Sequence, residues 1–132
     1  MSRPIKFRAW DKDDNKMYYA FPNWCISLDG DIYTNADPLK NLNKIVELMQ
    51  FTGLKDKNGK EIYEGDVVRI ITDSDNGFAG HYSDLNSEVV WDEDYTAWYL
   101  PLGFQQLGQA IGDEEVSIEV IGNIYENGEL LK

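Results

Sequence analysis

Apolar and polar residues alternate along several short segments of the chain. The first segment, Ile5–Trp10, carries Ile5, Phe7 and Ala9 at one set of alternate positions and Lys6, Arg8 and Trp10 at the other. A period of two is typical of a β-strand with one buried face, so we expect a half-buried strand here. The polar residues 11–16 and the apolar residues 17–20 follow, which predicts a first hairpin.

Turn-forming dipeptides separate the later strands. Asp29-Gly30 and Asn58-Gly59 tolerate the positive φ of tight hairpin turns, so each of them predicts a hairpin. A further hairpin is expected over residues 88–100, around an acidic turn at residues 92–94. The last strand is expected over residues 117–125, where Gly122 indicates a β-bulge.

Two segments depart from the alternating pattern. Residues 38–49 follow a favourable helix start, Asp37-Pro38, and predict a helix because their apolar residues are helically spaced, at Leu39, Leu42, Val46 and Met49. Residues 72–87 are rich in Asp, Asn, Gly and Ser and predict a long loop. Many short strands and one helix favour a mainly β fold, a small antiparallel barrel-like or rolled sheet with one short α-helix.

The length and the cysteine content bound the class of protein. A chain of 132 residues favours a single domain over residues 1–132 and suffices for a core without disulfides. Cys25 is the only cysteine, so a reducing cytoplasm is the expected compartment. We expect no signal peptide, because the N-terminus has no continuous apolar run, and no membrane span, because no stretch approaches about 18 apolar residues.

The net charge of −12 is unevenly distributed. Residues 1–69 balance 11 Lys and Arg against 11 Asp and Glu, whereas residues 70–132 hold 13 Asp and Glu and a single cation, Lys132. Such a surface repels nucleic acid and anionic membranes, so we expect no direct binding to either. The charge either keeps the chain soluble or forms a patch for a basic partner.

Few residues offer reactive chemistry. The only histidine, His81, falls in the predicted loop, and Cys25 falls in an alternating strand, so we assign no catalytic residue. Residues 73–84 begin like a calcium-binding loop, but Phe78 replaces its central glycine and Asp84 its final glutamate. No glycine-rich phosphate-binding motif occurs in the sequence. We therefore expect neither a metal site nor a cofactor.

Aromatic residues are abundant, with four Trp, eight Tyr and five Phe. Trp10 shares a predicted strand face with Arg8, and the predicted acidic hairpin is crowded with rings, at Trp91, Tyr95, Trp98 and Tyr99. A ring beside a guanidinium suits a base or a nucleotide-like ligand, whereas core packing or a subunit interface is the simpler explanation. The candidate ligand-binding residues are Arg8, Trp10, Trp91 and Trp98.

Three blocks of the sequence resemble the YopX family of phage and prophage proteins. They are residues 5–11, the ungapped residues 49–68, and residues 119–127 with 129–131. Gly128 stands where the family commonly has proline, and we expect it to loosen the tail. The resemblance implies a small, mostly β protein of phages and prophages of Gram-positive bacteria, with no family catalytic residues to carry over.

Four functions are compatible with these observations. The preferred one is a non-enzymatic phage accessory protein in counter-defence, which sequesters a small nucleotide-like signal in an aromatic pocket, formed between the subunits of a homo-oligomer. The second is an acidic, DNA-mimic-like protein that binds a basic surface of a host protein. A third is a structural or assembly protein that oligomerises through exposed β edges. The fourth, an enzyme, would need titratable groups of opposed pKa in a cleft.

Overall fold

The computed structural model describes residues 4–20, 24–34, 41–74, 81–103 and 105–131. They confirm a mainly β, antiparallel fold with one short α-helix. The strands are β1 (Phe7–Asp11), β2 (Lys16–Tyr18), β3 (Trp24–Ile26), β4 (Ile32–Thr34), β5 (Val46–Lys55), β6 (Glu61–Tyr63), β7 (Asp66–Ser74), β8 (His81–Glu88), β9 (Val90–Asp92), β10 (Ala97–Leu100), β11 (Gln105–Gln106) and β12 (Val116–Asn123). The helix is α1 (Leu107–Gly112), and Pro101–Gly103 and Gly128–Leu131 form 3-10 turns.

The chain divides into two compact units, which are described separately. The N-terminal unit is Pro4–Gln50, and the C-terminal unit starts at Phe51 and includes the rest of the described chain. In the N-terminal unit β1 pairs antiparallel with β2 on one side and with the first half of β5 on the other. The predicted hairpin around Gly30 is also present, as β3 and β4, and Gly30 has the positive φ of 88° that its turn requires.

Strand β1 is buried on both faces, so the prediction of a half-buried strand was wrong. Arg8, Ala9 and Trp10 are 2%, 0% and 8% exposed. The strand is flanked by β2 and β5, and Ala9 packs in the apolar core of the unit, with Ile32, Leu42 and Val46. Alternation along one strand gives the two faces, but it does not tell which of them the rest of the fold covers.

The helix predicted over residues 38–49 is absent from the part of that segment that the structure describes. Residues 43–45 form a turn and β5 begins at Val46, while residues 37–40 lie outside the described residues. Val46–Gln50 pair residue by residue with Phe7–Asp11, so the backbone hydrogen bonds to β1 outweigh the helical spacing. The α-helix that the described residues form is instead α1, whose Leu107 and Ala110 are fully buried.

The C-terminal unit contains the three-stranded sheets β12-β7-β8 and β11-β10-β9, together with α1. Its apolar core comprises Ile62, Val68, Ile70, Val89, Leu100, Leu107, Ala110, Ile118 and Val120. The hairpin predicted at Asn58-Gly59 is present as the second half of β5 and β6. Gly59 there has a φ of 81°, the positive φ predicted for the turn.

The prediction of a long loop over residues 72–87 was wrong, because the described residues of this segment form strands. Strand β7 continues to Ser74, and β8 pairs with it from His81 to Glu88, while residues 75–80 lie outside the described residues. Strand β8 is the last in its sheet order, and charged side chains are common on such edge strands because they discourage the unpaired backbone groups from pairing with another chain. Arg69 and Asp84 bridge the two strands with hydrogen bonds of 2.9 and 2.6 Å.

Asp56 fastens the β5–β6 hairpin to β12. Its Oδ1 accepts hydrogen bonds from the N–H groups of Asn58 and Lys60, and its Oδ2 accepts one from the N–H of Val120, each at 2.9 Å. Burial raises the pKa of Asp56, but the N–H donors, Val120 first, and the charge of Lys60 outweigh it and hold the pKa below its ordinary value of 3.8. This part of the family-like block 49–68 therefore maintains the fold.

The bulge predicted at Gly122 is confirmed, because the pairing of β12 with β7 shifts between Val120 and Gly122. A Cβ atom on Gly122 would lie 2.5 Å from Oδ1 of Asn127, which accepts a hydrogen bond from the N–H of Asn123. The following segment forms the 3-10 turn Gly128–Leu131. This turn is held by a hydrogen bond of 2.9 Å from Asn86 Nδ2 to the carbonyl oxygen of Leu130.

Candidate functional site

The predicted acidic hairpin is present as β9 and β10, and it places two tryptophans opposite each other. Trp91 and Trp98 are cross-strand neighbours whose ring centroids lie 5.0 Å apart in an edge-to-face arrangement. Oδ1 of Asp92 accepts hydrogen bonds from the N–H groups of Asp94 and Tyr95, at 2.9 and 3.1 Å. A carboxylate that satisfies the turn in this way fixes where Tyr95 leaves the hairpin.

The four rings of the hairpin form two pairs on opposite faces, because successive strand residues point to opposite sides. Trp98 lies on the same side of β10 as the fully buried Leu100 and packs against the core, while Trp91 beside it is 46% exposed. Tyr99 points the other way. Tyr95 stacks on Tyr99, with 5.9 Å between the ring centroids and an interplanar angle of 23°. Tyr95 is 61% exposed.

We call the outward side of the hairpin the tyrosine face and define it by Asp92, Tyr95 and Tyr99. Asp92 belongs to it because Asp92 pairs with Ala97, two residues before Tyr99 on the same side of the sheet. Within the part of the chain that the structure describes, no hydrogen bond to Oδ2 of Asp92 is present. The tyrosine face thus combines a half-buried carboxylate, one oxygen of which is fixed by the turn, with the exposed ring of Tyr95.

The other two candidate residues, Arg8 and Trp10, lie on β1 in the N-terminal unit. Nη1 of Arg8 donates a hydrogen bond of 3.4 Å to the hydroxyl of Tyr19, whose ring centroid is 6.0 Å from the guanidinium carbon. The structure therefore places Arg8 and Trp10 on one strand and brings Trp91 and Trp98 into contact, in separate units. Because Arg8 and Trp10 are almost fully buried, they offer solvent little of the ring and guanidinium surface that a ligand would contact.

The sequence interpretation noted Tyr95 and Tyr99 but did not select them, and it treated Asp92 only as part of a turn. The signal was present in the alternation of β10. If Leu100 faces the core, then Trp98 must face it too and Tyr99 must face outward. The outward position of Tyr95 could not be derived in this way, because it lies in the turn and its orientation depends on the hydrogen bond to Asp92.

Other chemistry in the described residues is sparse. Cys25 is exposed on β3, and His81 begins β8 instead of lying in a loop. Among the residues that the structure describes, no group of three or more His, Cys, Asp or Glu side chains is arranged to hold a metal ion. None of the helices in the described ranges has both the length and the apolar character needed to cross a bilayer.

An open groove of about 550 Å³ lies in the C-terminal unit, along β8 and the 3-10 turn at Gly128–Leu131. Its charged residues, Arg69 and Asp84, are hydrogen-bonded to each other, and Asn86 holds the turn. The hydrogen bond from Arg69 lowers the pKa of Asp84; desolvation opposes this shift, and the charge of Arg69 adds to it. The polar groups of the groove therefore have an evident structural role.

The fold and the hairpin define a small, mainly β protein that presents stacked aromatic rings beside carboxylates. The family model described as YopX protein matches residues 6–132, and the chain belongs to the YopX family, as its three sequence blocks indicated. No curated protein matches the chain.

Two crystal structures are similar to this chain over almost its whole length. Protein EF1440 from Enterococcus faecalis is 30% identical, with a TM-score of 0.56, and the match covers 99% of this chain and 100% of that one. Protein YopX from Bacillus subtilis is 27% identical, with a TM-score of 0.60, and the match covers 96% of this chain and 98% of that one.

Proposed function

We propose that this chain is a non-enzymatic accessory protein of a phage or prophage, and that it binds a basic surface of a host protein through the β9–β10 hairpin. The observation that carries the proposal is the exposure of aromatic rings on an acidic hairpin, with Trp91 at 46% and Tyr95 at 61%. The hairpin lies within residues 70–132, which hold 13 acidic residues and one cation.

Two physical effects support this role. Tyrosine and tryptophan are enriched in the centres of protein interfaces, because they bury a large apolar area at a low cost in side-chain entropy. Surface carboxylates add little affinity by themselves, but they accelerate encounter with a basic partner and disfavour acidic ones. A counter-defence role, in which the protein occupies a surface of a host protein in the cytoplasm, is consistent with both effects.

The alternative in which the chain sequesters a nucleotide-like signal has less support. Its guanidinium, Arg8, is 2% exposed, and the accessible rings of the hairpin lie beside Asp92, Glu93 and Asp94, which repel phosphate groups. Binding of a nucleotide-like ligand, in one subunit or between the subunits of a homo-oligomer, is therefore a competing outcome of the experiment below.

The test is photo-crosslinking in bacterial host cells, with a photoreactive amino acid at Glu93 in one variant and at Glu114 in a matched control. Both positions are exposed and lie in acidic turns in which an aspartate Oδ1 accepts a backbone N–H at 2.9 Å, Asp92 in one case and Asp113 in the other. The turn at Glu93 adjoins the exposed rings of Trp91 and Tyr95, whereas residues 113–115 contain no aromatic residue. The two variants therefore separate the aromatic hairpin from acidic charge alone.

We expect position 93 to cross-link to a Lys- or Arg-rich segment of one host protein, and position 114 to give at least several-fold less product. Equal cross-linking at both positions, or none at position 93, would overturn the proposal. So would a thermal shift with a panel of cyclic and linear nucleotides in the absence of any cross-linked protein, because it would favour the sequestration alternative.

A further inference from the structure

The tyrosine face combines two groups that together suit one kind of side chain. One side of the Tyr95 ring stacks on Tyr99, with 5.9 Å between the ring centroids. Because Tyr95 is nevertheless 61% exposed, the other side of its ring faces solvent. The carboxylate of Asp92 is within 3.1 Å of the backbone nitrogen of Tyr95, and it is held there by the turn. An aromatic surface and a fixed carboxylate therefore lie on the same side of one hairpin, since Asp92 pairs with Ala97 on the side that carries Tyr99.

We infer that the tyrosine face is a subsite for an arginine side chain of the protein partner, and that it discriminates arginine from lysine. The inference rests on the proposed function and names the group that the hairpin recognises. A guanidinium is planar, so it can stack on the Tyr95 ring while its edge donates hydrogen bonds to Oδ2 of Asp92. An ammonium group is a compact, strongly hydrated charge and satisfies the two contacts less well.

The geometry of the hairpin favours a preformed subsite. Oδ1 of Asp92 is occupied by the N–H groups of Asp94 and Tyr95, which fixes the orientation of the carboxylate and leaves Oδ2 as the oxygen available to a ligand. Tyr95 is supported from behind by Tyr99, which belongs to a paired strand of the sheet. Binding would therefore require little ordering of the protein side chains, and the loss of their entropy on binding is small.

The test is an NMR titration of the full chain with two blocked tripeptides, acetyl-Gly-Arg-Gly-amide and acetyl-Gly-Lys-Gly-amide. The observable is the movement of backbone amide signals, above all those of Asp94 and Tyr95, whose N–H groups bond Asp92. We expect the signals of residues 92–99 to move, with a dissociation constant about three-fold lower for the arginine peptide.

Three variants assign the effect to the two groups. Asp92→Asn keeps an oxygen for the turn but removes the charge, so binding of both peptides should weaken. Tyr95→Phe keeps the ring and should retain the preference for arginine, whereas Tyr95→Leu should remove it. Because Tyr95 is largely exposed, the leucine variant should fold, and its dispersed amide spectrum would verify this.

Equal dissociation constants for the two peptides would overturn the inference, as would signal changes confined to residues outside the hairpin or a preference that survives Tyr95→Leu. The proposed function fails separately. Cross-linking of a basic host protein at position 93 without a preference for arginine would remove only the subsite. A preference for arginine without any cross-linked protein would remove only the proposed host partner.

Discussion

The Oδ2 atom of Asp56 accepts a hydrogen bond of 2.9 Å from the backbone N–H of Val120, which lies 64 positions further along the chain. The other oxygen of the same carboxylate closes the turn at residues 56–60. One side chain thus fixes a local turn and a distant strand. This explains in physical terms why a polar residue is 8% exposed at the tip of a hairpin.

The first prediction concerns the substitution Asp56→Asn. An amide replaces one acceptor oxygen with a donor and removes the charge that strengthens all three hydrogen bonds, so the free energy of unfolding should fall by about 2 kcal/mol. Urea denaturation monitored by tryptophan fluorescence would measure the change. The exposed Glu114→Gln is the control and should alter stability little. A change as small as that of the control would show that the Asp56 contacts contribute nothing.

The second prediction is the pH dependence of this difference. The pKa of Asp56 in the folded chain lies below its ordinary value of 3.8, so the unfolded chain binds the proton more readily. The stabilisation is therefore complete above about pH 5 and is lost as the pH falls through the lower, folded-state pKa. The difference in unfolding free energy between the wild type and Asp56→Asn should be constant from about pH 5 to 7 and smaller near pH 3. A larger difference at pH 3 would contradict this sign.

The third prediction is that Gly122→Ala destabilises the bulge of β12. Its Cβ would lie 2.5 Å from Oδ1 and 2.8 Å from Cβ of Asn127, so the strand or the Asn127 side chain must shift. We expect a loss of about 2 kcal/mol in unfolding free energy.

The control for this prediction is Gly112→Ala, where a Cβ meets nothing within 4 Å and stability should not decrease. A double variant with Asn127→Gly should cost less than the sum of the two single changes, because the clashing side chain is gone. Strict additivity of the two changes would show that the clash is not the cause.

The fourth prediction concerns the anchoring of the 3-10 turn Gly128–Leu131. Asn86→Ala removes the hydrogen bond to the carbonyl oxygen of Leu130, worth about 1 kcal/mol, so the turn should open more often. Hydrogen exchange of the Leu130 amide, which bonds the carbonyl of Asn127 at 3.0 Å, should become about five-fold faster. Ser83→Ala on the same strand is exposed and should leave this rate unchanged. An unaltered rate in Asn86→Ala would mean that packing of the turn suffices to hold it.

Turn chemistry was the most reliable guide to the fold. Gly30 and Gly59 have the positive φ that their dipeptides predict, and each lies between two paired strands. Gly122 lies at the predicted bulge for a related reason, since the chain there leaves no room for a side chain. These features depend on one or two neighbouring residues, so a single sequence contains enough information to place them.

The errors occurred where distant pairing decides the structure. The spacing of Leu42, Val46 and Met49 fits a helix and also fits a strand, and the pairing of β5 with β1 settles the choice. The polar residues of β8 suggest a loop until β7 is seen to pair with them along their whole length. Neither partner strand can be identified from local composition.

The candidate site was predicted only in part, because it too depends on contacts between residues that are distant in the sequence. Crowding of rings at the acidic hairpin followed from the sequence, and Trp91 and Trp98 do meet. Trp91 and Trp98 lie on one face of the hairpin, and Tyr95 and Tyr99 lie on the other. Which of these faces is exposed depends on the side of the hairpin that the core covers. The inclusion of Arg8 in one site with the hairpin rested on residue type alone, and the burial of Arg8 could not be derived from its strand pattern.

The bond between Asp56 and Val120 also affects the order of events during synthesis. The ribosome releases the hairpin that carries Asp56 well before it has made the strand that carries Val120, 64 residues later. Until that strand is made, the carboxylate can close its own turn but lacks its distant N–H donor, and the sheet β12-β7-β8 is incomplete. Contacts this distant in sequence slow the folding of small domains, so we expect the C-terminal unit to complete its folding only after β12 has been made.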